Sequence, residues 1–311
     1  MKKSLIALAV LGASGFAMAQ SSVTLYGVAD GGIGKAPGGK TGFVSSNSFT
    51  NNGASRVGLK GVEDLGGGLK AGFNFETGLW MGTGNAYGSG TNQFWNRNSM
   101  VFLGGSWGQF TMGRYYTPGF SAQTGFWELT GAANYTVVGN TYGFGGGNGV
   151  WQNNQFRYDA PNFGGLSGMV AYTTKNDNGG TGSKWDLAAT YANGPISGAL
   201  TLNKTQGLKT GWALGGRYNM GNFIVAASYN DRGNVASGVS SRRGISIGGT
   251  AIFGAASATL DITRDTKNAA GKRTNFVLEG KYSLSKRTFA YADYLRFDKQ
   301  NSYTIGVRHN F

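Results

Sequence analysis

A closed antiparallel β-barrel that crosses a membrane is the fold class this sequence predicts, and three observations predict it. The chain opens with a secretory leader, then alternates apolar and polar residues with period 2 almost to its last residue, and its connections alternate between short turns and long polar loops. The leader spans residues 1–19: Lys2 and Lys3, the apolar run Leu5 to Val10, and Ala17-Met18-Ala19 before Gln20. No later stretch approaches the ~18 apolar residues that a membrane-crossing helix needs. Any crossing must therefore be made by strands.

Composition narrows the chemistry. The 311 residues include 56 Gly, 4 Pro and 13% aromatics, where glycine is usually about 7%. That is too much glycine for helices and too many rings for a linker. With no cysteine and one histidine, His309, a disulfide framework, a zinc site or a Ser-His triad has almost nothing to be built from. No cofactor is expected. Lys and Arg number 28 against 14 Asp and Glu, and removing Lys2 and Lys3 with the leader leaves 26 against 14, an excess of 12. For an exported chain this charge suits an anionic solute or lipid better than nucleic acid.

The strands read in order. Val23, Leu25, Gly27 and Ala29 alternate with Thr24, Tyr26, Val28 and Asp30, and Leu69, Ala71, Phe73 and Phe75 alternate with Lys70, Gly72, Asn74 and Glu76. Ile196, Gly198, Leu200 and Leu202 oppose Ser197, Ala199, Thr201 and Asn203; Phe276, Leu278, Gly280 and Tyr282 oppose Asn275, Glu279 and Lys281. The last strand sets Tyr303, Ile305, Val307, His309 and Phe311 against Ser302, Thr304, Gly306, Arg308 and Asn310. Short turns such as Pro161-Asn162-Phe163-Gly164 and Asn219-Met220-Gly221-Asn222 alternate with longer connections at 35–54, 78–96, 115–152, 174–183, 233–241 and 265–271. The segments number roughly 16, an even count inside the range of outer-membrane barrels. Residues 20–311 form one domain without a linker.

Two segments resist this pattern. If Arg97 points into the lumen, strict alternation also sends Val101 and Leu103 there. Arg114 shares a parity with Phe110 and Met112, which aims it outward unless the strand ends or bulges.

The longest connection, Tyr115 to Gln152, holds nine glycines, the rings Tyr115, Tyr116, Phe120, Phe126, Trp127, Tyr135, Tyr142 and Phe144, and one charged residue, Glu128. So many rings belong in a packed loop, and a pore is the expected place for it. The glycine run from Gly143 to Gly149 lacks the Lys-Ser or Lys-Thr of a phosphate loop. Asn176-Asp177-Asn178 lacks the further carboxylates of a calcium site.

The chain resembles the trimeric general porins of Gram-negative bacteria, in their beta-proteobacterial branch. The resemblance is carried by Val23-Thr24-Leu25-Tyr26-Gly27, by Arg56 through Gly66 with Gly68-Leu69-Lys70-Ala71, and by Gly113-Arg114. Arg157-Tyr158-Asp159-Ala160-Pro161-Asn162-Phe163, Tyr282 through Thr288 and the ending Gly306 through Phe311 complete it. It implies an all-β, 16-stranded transmembrane barrel, a homotrimer among outer-membrane lipid and lipopolysaccharide, with the loop at 115–152 folded into the lumen as a constriction. It also implies that Phe311 is the signal read by the barrel-assembly machinery.

The resemblance further implies that wall residues Arg56, Arg97 and Arg157 face an acidic site at Trp127-Glu128, with Lys60 and Arg114 completing the constriction. Where such porins often carry several loop acids, Glu128 stands alone here. A guanidinium on the lipid face at mid-membrane costs about 2–4 kcal/mol, which independently sends these arginines to the lumen or the rims. The expected function is passive diffusion of small hydrophilic solutes, anions preferred. An adhesin or a surface enzyme on the same barrel is the alternative.

Overall fold

The computed structural model describes residues 22–45, 49–86, 93–147, 149–177, 182–233 and 241–311. The leader expected over 1–19, and parts of the longer loops, including Asn178, lie outside the described residues.

Seventeen strands among the described residues form one closed antiparallel sheet. They make sixteen staves. β1 (Ser22–Lys35) is long enough to have two partners on one side: Ser22–Val28 pairs with β3 (Arg56–Gly66), and Gly31–Lys35 with β2 (Thr41–Ser45). β2 and β3 therefore form the upper and lower parts of a single stave, and residues 49–55 of the gap between them turn into the lumen and are mostly buried. The other staves follow in chain order from β4 (Leu69–Gly78) to β17 (Gln300–Asn310).

On β17 the outward residues Tyr303, Ile305, Val307 and Phe311 are exposed, while Ser302 and Thr304 are buried against the interior. Lipid is a solvent for the first set and the pleat alone separates the two. β5 (Asn98–Gly105) resolves the first irregularity. Arg97 precedes the ladder, so its side chain turns inward while Val101 and Leu103 point out, about half exposed. β6 (Gly108–Tyr116) and β7 (Trp151–Asp159) resolve the second, because their register shifts between Gly113 and Tyr115. That bulge frees Arg114 from strict alternation.

Closure occurs where β1 meets β17, in register from Val28↔Asn310 to Lys35↔Tyr303. Just beyond, Gly27 and Phe311 exchange both backbone hydrogen bonds, at 3.0 and 3.1 Å. Gly27 has no room for a side chain, since a Cβ there would lie 2.2 Å from the Phe311 ring. In lipid an unpaired strand edge costs several kcal/mol per group. Deleting Phe311, or Gly27→Val, should therefore sharply lower the yield of heat-resistant folded barrel, read as the loss of fast-migrating species on unboiled detergent gels.

Candidate functional site

The loop at 115–152 leaves and re-enters the wall at one point, where Tyr116 pairs with Trp151. The sequence suggests an irregular loop; the structure forms two short helices within it. Thr117 caps the first, α1 (Pro118–Phe126), accepting from Phe120 N at 3.2 Å, with Pro118 in the first turn; Thr136 caps the second, α2 (Val137–Tyr142). A Thr-Pro pair at a helix start is a legible signal, since proline loses nothing where no backbone partner exists. α1 lies against β8 to β11 (Leu166–Thr173, Lys184–Asn193, Ile196–Thr205, Gly211–Asn219). α2 lies against β12 to β16 (Phe223–Arg232, Arg242–Phe253, Ala256–Asp265, Arg273–Ser283, Thr288–Phe297). The loop is thus plastered on one side of the lumen.

This contact is the protein's core. Trp127, Tyr135, Val137, Val138 and Tyr142 are almost wholly buried against the inward alanines Ala188, Ala199 and Ala213, with Val277 and Leu295. Gly215 faces Trp127 so closely that a Cβ would lie 2.5 Å from its ring. The run from Gly143 lets main chains touch: a Cβ on Gly145 would sit 2.4 Å from the Cα of Gly119.

Hydrogen bonds tie the loop at each end. The Gly119 amide donates to Asp186 at 2.9 Å, Thr201 and Asn203 donate to the Gly145 carbonyl, and the Tyr142 hydroxyl donates to the Ile245 carbonyl at 3.0 Å. Midway, the Tyr135 hydroxyl donates to Glu279 and accepts from Asn52 at 2.6 Å, while Asn134 donates to Asn51 at 2.7 Å.

Glu128 does not face arginines across an opening, as the resemblance implies. It is 1% exposed, sits on the wall side of the loop, and accepts from Gln123 at 3.0 Å and Thr130 at 3.2 Å. Burial pushes its carboxyl upward against those hydrogen bonds, with nearby Glu279 adding to the push. A buried loop carboxyl held by Gln123 and Thr130 is a bracing group.

A passage of about 620 Å³ lies between the loop and the side of the wall that α1 and α2 leave uncovered. Arg56, Arg97 and Arg308 line it, together with Tyr116, Phe120, Phe144 and Trp151. Arg56 and Arg97 share one buried carboxylate, Glu76, at 3.3 and 2.5 Å. The Tyr26 hydroxyl donates to the same group at 3.0 Å. Arg308 donates to Asn52 at 2.8 Å and Asn310 at 3.1 Å, two neutral partners.

Arg157 points inward but is covered. It pairs with Asp159 at 2.6 Å and donates to the Tyr116 carbonyl at 2.8 Å and Ser121 at 3.0 Å, so it braces the root of α1 and does not line the passage. Lys60 is exposed, 5.2 Å from the Tyr26 ring centre. Arg114 donates to the Asn96 carbonyl at 2.7 Å and to Asn153, and lies 5.8 Å from the Trp151 ring.

Sequence reasoning missed Glu76 and Arg308. Both were visible as inward positions of recognised strands, Glu76 two residues beyond Asn74 and Arg308 beside Gly306, but nothing local marked them as meeting at one opening.

The Gram-negative porin family profile matches residues 4–302. The chain is 32% identical over 333 residues to outer membrane porin protein 32 of Delftia acidovorans, covering 99% of this chain and 93% of that protein. It is 35% identical over 205 residues to the major outer membrane protein P.IB of Neisseria gonorrhoeae, covering 62% and 54%. Among solved structures, an anion-selective porin from Comamonas acidovorans superposes with a TM-score of 0.77 at 26% identity, covering 94% of this chain and 100% of that one. A trimer form of OmpT from Vibrio cholerae, at 0.69 and 14% identity, shares the fold.

The strands close through their own ladder, so the inserted loop narrows the lumen without being needed for closure. Replacing residues 118–147 by a short Gly-Ser linker should leave a barrel that inserts and whose single-channel conductance exceeds wild type. A conductance no higher would mean that the loop does not limit flow.

Proposed function

Because the chain belongs to the Gram-negative porin family, it is an outer-membrane channel for small hydrophilic solutes and ions, and we propose that its narrows favours anions. The observation that carries the proposal is the lining: every formally charged side chain on the passage, among the described residues, is an arginine. Arg56 and Arg97 are partly offset by Glu76 behind them, and Arg308, hydrogen-bonded by asparagines, stands opposite Asp30 of β1. The relative from Comamonas acidovorans, described as anion-selective, agrees in direction. The working unit on this reading is a homotrimer beside lipopolysaccharide, exported by the leader at 1–19 and delivered to the barrel-assembly machinery through Phe311. The lining serves a diffusion path, where an adhesin or surface enzyme would have no use for arginines deep in the lumen.

The magnitude is sufficient. One unit charge ~8 Å from an ion, at an effective dielectric of about 40, is worth about 1 kcal/mol, or roughly fivefold in occupancy. Because the screening length shrinks from about 10 Å at 0.1 M to about 3 Å at 1 M salt, selectivity should fall as salt rises.

Reversal potentials in a KCl gradient test the reading. Arg308→Ala and Arg56→Ala should each lower the anion preference several-fold. Arg157→Ala should change it far less, because its charge is covered and paired with Asp159. A cation-selective wild type would end the proposal.

A further inference from the structure

The arginines do not line the passage alone. Tyr116 stacks on Phe120 with ring centres 5.0 Å apart and on Trp151 at 5.9 Å, and Phe144 meets Phe120 edge-on at 5.0 Å. These four rings form one aromatic cluster at the same opening as the arginines, with Tyr116, Phe144 and Trp151 half-buried and Phe120 buried. The two features meet at Trp151, where the Arg97 guanidinium sits 4.6 Å above the indole.

A channel that only had to pass small inorganic anions would gain nothing from this surface. The faces of these rings shed the hydration water of such an ion and return no hydrogen bond. They suit a solute that is itself flat and apolar at one end and anionic at the other. The opening of about 620 Å³ falls within the roughly 300–1,000 Å³ that accommodates small organic ligands.

We propose that, among anions, the passage favours aromatic carboxylates: the solute's ring lies along Tyr116, Phe144 and Trp151 while its carboxylate is passed among Arg97, Arg56 and Arg308. The inference rests on the anion-preferring reading above and adds a second recognition element to it. Arginine suits both halves, since its planar guanidinium takes a carboxylate in bidentate fashion and its face stacks on a ring. Ring-on-ring contact beyond simple burial is worth roughly two- to tenfold in an equilibrium constant.

The test compares benzoate with cyclohexanecarboxylate, which matches it in charge and nearly in size but has no aromatic face. Both are added to the purified full-length barrel in planar bilayers, and transient blockade of the chloride current is recorded against concentration. Benzoate should block at a concentration about three- to tenfold lower. In Trp151→Leu and in Phe144→Leu that ratio should fall toward one. The ratio is internal to each variant, so a widened pore or a lower insertion yield does not imitate the result.

Equal blockade by the two acids in an anion-selective wild type overturns the inference and leaves the anion reading standing. So does a ratio that both ring variants leave untouched. A cation-selective wild type overturns both.

Discussion

The narrow lumen depends on one buried hydroxyl bridge. Tyr135, at the middle of the inserted loop, donates to Glu279 on β15 and accepts from Asn52 in the segment that interrupts the second stave. Three parts of the chain far apart in sequence are held there at once. The partners suit the place: a buried phenol needs both a donor and an acceptor close by, and leaving either unmatched costs about 1–3 kcal/mol. The aromatic packing around Trp127 and Tyr142 gives the loop its adhesion to the wall, and the bridge fixes where along the wall it adheres.

That placement sorts the charges. Glu128 on the loop and Asp261 and Glu279 on the strands lie in the contact between loop and wall, where Lys281 also reaches Glu279 at 2.8 Å. Arg56, Arg97 and Arg308 lie on the uncovered side. A chain with 14 acidic residues thus presents its passage with arginines because most acids near the loop are spent on holding it. Glu76 and Asp30 are the exceptions: Glu76 is positioned beneath two arginines and hydrogen-bonded by Tyr26, where it fixes their direction more than it cancels the lining, and Asp30 stands opposite Arg308 across β1 and β17.

The sequence showed the barrel well and the site unevenly. Period-2 alternation in strands such as Ile196–Thr205 is a direct image of two solvents, lipid outside and polar lumen inside, so strand faces could be read without any partner. Alternation failed where the ladder stops, at Arg97, and where it bulges, at Arg114, because parity has no meaning off the ladder. The inward direction of Arg157 was legible; its cover by α1 was not, since covering depends on which wall the loop leans against. The two helices left a local trace in Thr117-Pro118 that the density of glycine obscured. Arg308 shows the limit most plainly: only closure of the last stave on the first brings it beside Asn52 and the same opening as Arg97.

The glycine contacts at the loop's two ends bear on how steadily such a channel conducts. Gly119 and Gly145 meet main chain to main chain, and Gly146 is pressed just as closely on Trp212 and Gly211 of β11. Backbone in such contact has no side-chain rotamers to exchange, and a packed interior has few small displacements available to it. The constriction is therefore built as a fixed aperture, its arginine heads held by Glu76, Asn52 and Asn310. Electrical noise in the open state should come mainly from passing solutes, and the loop should add little of its own.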